Sequence, residues 1–102
     1  MTKKSILIEP KGREIVLNGK SYKLPPSNLN TIAEVEEVFD CSLQQVIERM
    51  NERQATTLRK LLYALLKSDY PDLTLDAIGN LVRIKDLSNV MNIITEVLTD
   101  ME

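Results

Sequence analysis

Apolar and polar positions alternate with a period of two in the first part of the chain and with a helical period thereafter. Ile15 and Leu17 lie two apart around Val16, and Tyr22 and Leu24 two apart around Lys23, on either side of Asn18-Gly19. Asn-Gly between such runs predicts a two-residue type I′ hairpin, because both central residues need positive φ. That loop pairs Leu17 with Lys20 and Ile15 with Tyr22, so all four apolar side chains share one face. An additional short strand is predicted over Ile6 to Glu9. Its turn at Glu9-Pro10-Lys11-Gly12 carries Pro second and Gly fourth, as type I turns prefer. Residues 1–24 thus read as a β-meander. Pro25-Pro26 ends it, since neither residue donates to a ladder and both resist helix.

Beyond the prolines the period becomes helical. Ile32, Val35, Val38 and Phe39 predict a first helix capped by Asn30 or Thr31, with Thr31 and Glu34 at capping-box spacing. Ser42 caps a second, with Leu43, Val46, Ile47 and Met50 at i, i+3, i+4 and i+7. A third runs from Asn51 or Gln54 to Lys67, ahead of Tyr70-Pro71. Thr74 starts a fourth with Leu75, Ile78, Leu81 and Val82. A fifth begins near Asp86 and carries Leu87, Val90, Met91, Ile94, Leu98 and Met101. The expected fold is α+β: a small antiparallel hairpin or meander over residues 1–26, then a bundle of four to five short helices over 27–102. At 102 residues this is one domain, with no linker or internal repeat.

The chemistry-bearing residues are few. There is no His and no Trp, and Cys41 is the single cysteine. That excludes disulfide frameworks, Cys/His metal sites and imidazole-dependent triads, and fits a reducing cytoplasm. Cys41 follows Asp40 and reads as structural. Glu34, Glu36, Glu37 and Asp40 lie on the arc opposite the first helix's apolar stripe, as a solvated face does. Three scattered glycines form no phosphate loop. Asp86-Leu87-Ser88 has the wrong order for a phosphopantetheine-bearing carrier, and Ser88 reads as a surface or capping residue. Residues 75–97 could imitate a helix-turn-helix, but no Arg or Lys follows Lys85 to grip phosphate. No catalytic, metal-binding or cofactor residue is nominated, and the chain is expected not to be an enzyme.

Net charge is −2, unevenly spread. Residues 1–24 hold six basic and two acidic residues, a net +4, while residues 25–102 hold seven basic and thirteen acidic, a net −6. The basic residues of the first part alternate with apolar ones, as on the wet face of a sheet, so nucleic acid is not expected as a partner. The longest apolar run is Leu61 to Leu66, six residues against the roughly 20 that span a bilayer, and Lys3-Lys4 introduces no signal-peptide core. Neither secretion nor membrane insertion is expected.

Two apolar stripes are wider than one-sided packing needs. In the third helix Ala55, Leu58, Leu61, Leu62, Leu65 and Leu66 span ~140° of the helical wheel, and Tyr63 widens this to ~200°. In the fifth, Ile93 and Val97 bring the stripe to ~160°, against about 100° for a helix covered on one side. Either these helices are covered on several sides by their own fold, or part of the stripe meets another chain. The second alternative nominates Leu61, Tyr63, Leu66, Ile93 and Val97 as partner-binding residues.

The order of elements adds a resemblance. Asn18-Gly-Lys-Ser-Tyr-Lys-Leu24 leads into Thr31-Ile-Ala-Glu-Val-Glu-Glu-Val-Phe39. Leu58-Arg-Lys-Leu-Leu-Tyr-Ala-Leu-Leu-Lys67 follows, then Tyr70-Pro-Asp-Leu-Thr-Leu-Asp-Ala-Ile-Gly-Asn-Leu-Val82. From about residue 13 to 99 the chain resembles the tail assembly chaperones of long-tailed bacteriophages and prophages. The resemblance implies a holdase that coats the tape-measure protein, keeps it soluble, and is displaced as tail-tube subunits polymerise. It implies a homo-oligomer in some states, no nucleotide or metal, a place in the bacterial cytoplasm, and the short form of a family often also made with a frameshift extension. The rival expectation is a generic α+β interaction module, or a small phage regulatory or DNA-binding adaptor.

Overall fold

In the computed structural model, which describes residues 13–101, Asn18 and Gly19 turn the chain with φ of 53° and 81°. Strands β1 (Glu14–Leu17) and β2 (Lys20–Lys23) pair antiparallel across that turn, Leu17 opposite Lys20 and Ile15 opposite Tyr22. The Leu24 N–H adds a further bond to the Arg13 carbonyl at 2.7 Å. Ile15, Leu17, Tyr22 and Leu24 are all buried, as the alternation predicts. The expected strand Ile6 to Glu9 and its turn lie outside the described residues.

Five α-helices follow the hairpin among the described residues: α1 (Leu29–Phe39), α2 (Leu43–Glu52), α3 (Gln54–Leu66), α4 (Leu75–Leu81) and α5 (Leu87–Met101). The fold is therefore α+β, a small N-terminal hairpin and a helical bundle. A 3-10 turn, Ile84–Asp86, precedes α5. Ser42 caps α2 in a reciprocal box with Gln45, and the Thr74 hydroxyl accepts from the Ala77 N–H at 3.1 Å to start α4.

The start of α1 differs from the sequence expectation. Its cap is Asn28, whose Oδ1 accepts from the Thr31 N–H at 3.1 Å, so neither Asn30 nor Thr31 caps it. Thr31 turns inward and its hydroxyl donates to the Pro26 carbonyl at 2.7 Å. The Pro26 carbonyl also accepts from the Asn28 N–H at 3.0 Å, so the Thr31 hydroxyl is its second donor and ties the first turn of the helix to the end of the hairpin. The Thr31–Glu34 capping box does not form.

Helix α3 is the axis of the bundle, packed by α1, α2 and α4. Leu58, Leu61, Leu62, Ala64, Leu65 and Leu66 are all buried. Helix α5 lies against the hairpin, burying Val90, Ile94, Val97, Leu98 and Met101, with an Arg13–Asp100 ion pair at one end. Tyr70, in the α3–α4 connection, ties the hairpin to the bundle. Its ring meets Tyr22 edge-on at 5.1 Å and its hydroxyl accepts from the Lys23 N–H at 3.0 Å. Buried residues of hairpin and helices form one continuous cluster. Among the described residues no helix is long and apolar enough to cross a membrane.

Candidate functional site

The broad stripes of α3 and α5 are covered chiefly by this chain's own elements. Leu61 and Leu66 have no exposed surface and Val97 has 2%. The width of the α3 stripe reflects three neighbouring helices, so these side chains offer nothing for a partner to touch while the fold is intact. Tyr63 and Ile93 are half-buried and keep some surface. Ile93 lines a shallow recess between the hairpin and α5, beside Val16, which is 59% exposed on the outer face of β1. The five nominated residues do not converge on one site.

The acidic face of α1 is also not wholly solvated. Glu34 accepts from the Ser68 hydroxyl at 3.1 Å and lies 3.9 Å from the Lys67 ammonium. Glu36 accepts from the Leu43 N–H at 3.2 Å, helping to hold the start of α2. Glu37 and Asp40 remain exposed. Asp40 closes the helix in the left-handed region at φ 56°. Cys41 is partly buried against the core. Among the described residues no three His, Cys, Asp or Glu side chains gather as metal ligands would.

A groove of about 300 Å³ lies between α3, α4 and the turn that follows them. Leu58 and Leu62, one helical turn apart, give it a buried wall on α3, and Ile78 on α4 with Val82 just past its end gives the facing wall. Helix α4 stops because Val82 and Arg83 adopt extended backbone, at φ −99° and −83°. The chain then re-enters a 3-10 turn, in which the Asp86 N–H bonds the Arg83 carbonyl at 2.9 Å. With Val82 and Arg83 extended, Ile84 projects from the rim, 91% exposed, while Leu87 is half-buried at the base. Gly79 leaves room on α4 for the Arg59 side chain, whose Cδ lies 3.2 Å from where a Cβ would sit.

Among the described residues the groove's charged side chains are Arg59 and Arg83, and no acidic one lines it. Among the described residues neither arginine takes part in an ion pair. A neighbouring recess shares Thr56 with it and adds Arg49, Arg53 and Lys60, with Glu52 the single acid among its described residues. Five of the seven cations in residues 25–102 thus surround the N-terminal half of α3, in a segment whose net charge is −6.

Sequence reasoning missed this site. Its one local signal was Ile84, an aliphatic residue between Arg83 and Lys85 that belongs to neither the α4 nor the α5 stripe. Val82 was expected to continue the α4 helix but ends it, and that break opens the groove.

Fold and groove together define a small α+β protein with a cationic, aliphatic-walled cleft. No protein-family model, curated protein or solved structure matches the chain.

Proposed function

We propose that this chain is a non-enzymatic protein-binding module that serves as a tail assembly chaperone of a long-tailed phage or prophage. In this role it binds the tape-measure protein in the bacterial cytoplasm, holds it in solution, and releases it as tail-tube subunits assemble. The observation that carries the binding part is Ile84, almost wholly exposed at the mouth of an apolar groove. A small domain gains from burying such a side chain, and leaving it in water beside an aliphatic cleft marks a contact surface. Leu29, 78% exposed at the start of α1, is a second aliphatic side chain left uncovered. The choice of client rests on the sequence resemblance over residues 13–99. A lack of enzymatic chemistry accords with the absence of His and the lone, partly buried Cys41.

Co-expression with the cognate tape-measure protein tests this directly. The client is expected to stay soluble and to co-purify with the chain, then to be given up when tail-tube protein is added. A client equally soluble with and without the chain overturns the proposal.

A further inference from the structure

We infer that the groove between α3, α4 and the Ile84 turn receives an amphipathic helix of a partner polypeptide whose apolar ridge is flanked by carboxylates. The inference rests on the proposal that the chain binds protein, and it specifies the chemistry of what is bound. Its walls are aliphatic, and Ile84 extends them to the rim. A helix presenting large aliphatic side chains at i and i+3 or i+4 places them about 5–6 Å apart on one face, as an apolar ridge that an aliphatic groove can bury.

Charge decides the flanks. Arg59 and Arg83 stand on the α3 side and the turn side of the groove, and among the described residues no lining acid competes for them. The adjoining recess with Arg49, Arg53 and Lys60 extends the same sign around α3. An incoming helix with acidic residues beside its ridge therefore meets cations along the cleft, whereas a basic one is repelled. The same cations could draw phosphate, but nucleic acid suits the cleft poorly. Among the described residues no aromatic ring lines it for base stacking, and a phosphate backbone would leave Ile84 in water. Arg59 also keeps its stem over Gly79, covering apolar surface while its guanidinium stays at the groove.

The test uses the full chain and a fluorescein-labelled synthetic peptide of roughly 20 residues, long enough to run along the cleft as a helix. Leu occupies its a and d positions and Glu the flanks; a control peptide carries Lys in place of each Glu. The Glu peptide is expected to bind and to weaken as salt rises. Arg83→Glu and Ile84→Ser are each expected to weaken it about tenfold, with circular dichroism unchanged because both side chains are exposed. The Lys peptide is expected to bind about tenfold less tightly than the Glu peptide.

Equal binding of the two peptides, no detectable binding of the Glu peptide, or indifference to both substitutions overturns the inference. Tighter retention of a labelled DNA duplex than of the peptide assigns the cleft to nucleic acid instead. A wild-type oligomer that Arg83→Glu dissociates assigns it to a second copy. The two proposals fail separately. If the variants still solubilise the tape-measure protein as well as wild type does, the chaperone reading stands and the groove is not its site. If the Glu peptide binds the groove but the tape-measure protein is indifferent to the chain, the inference stands and the chaperone reading falls.

Discussion

Replacing Leu61 by Ala separates a side chain that holds the fold together from one that waits for a partner. Leu61 has no exposed surface and sits on the helix that α1, α2 and α4 all cover. Truncation removes the equivalent of three methylene groups, about 2.4 kcal/mol of transfer free energy at ~0.8 kcal/mol each. A cavity term adds to this, because the surrounding helices are fixed at their edges. Ser68 and Lys67 at the end of α3 hold Glu34 of α1, and the Thr57 hydroxyl donates to the Arg49 carbonyl of α2 at 3.2 Å. With those ties the site collapses little, which places the total at about 3–4 kcal/mol, within the range for buried Leu→Ala changes. A domain of this size has roughly 5–15 kcal/mol in all, so the loss is a large fraction of it. At about 4–8 °C per kcal/mol, the melting temperature is expected to fall by at least ~12 °C. The assay is thermal and urea unfolding followed by circular dichroism, with Ile84→Ser as the paired control. Ile84 is 91% exposed, so its substitution is expected to stay within about 0.5 kcal/mol of wild type. A Leu61→Ala variant that melts within about 3 °C of wild type, or the same shift in both variants, would refute the assignment of α3 as the covered axis of the bundle.

Two further substitutions probe the contacts that join the elements. Asn28→Ala is expected to destabilise the fold by about 1 kcal/mol in urea unfolding while Asn30→Ala leaves it unchanged, because only Asn28 accepts from the Thr31 N–H. Tyr70→Phe keeps the edge-on packing on Tyr22 and removes the acceptor for the Lys23 N–H, an exposed bond, so a loss near ~0.5–1 kcal/mol is expected; Tyr70→Ala, which removes the ring as well, is expected to cost clearly more in the same titration.

Local chemistry determined the elements. Asn18-Gly19 admits positive φ, and that turn alone sets the pairing of Leu17 with Lys20 and buries Ile15 and Tyr22 together. Ser42 with Gln45, and Thr74, mark helix starts by satisfying free N–H groups within three residues, so nothing distant is needed to place them. What tertiary structure decided is which apolar stripes are spent inside the molecule. A helical wheel measures the width of a stripe but cannot tell whether three helices or a foreign chain covers it. Leu61 and Leu66 proved to be interior only because α1, α2 and α4 converge on α3. The cap of α1 fell at Asn28, whose Oδ1 accepts from the Thr31 N–H, while the Thr31 hydroxyl turned inward to the Pro26 carbonyl. The groove arises from two arginines 24 residues apart and an isoleucine left over from both flanking stripes, a combination that exists only once α3 and α4 lie side by side.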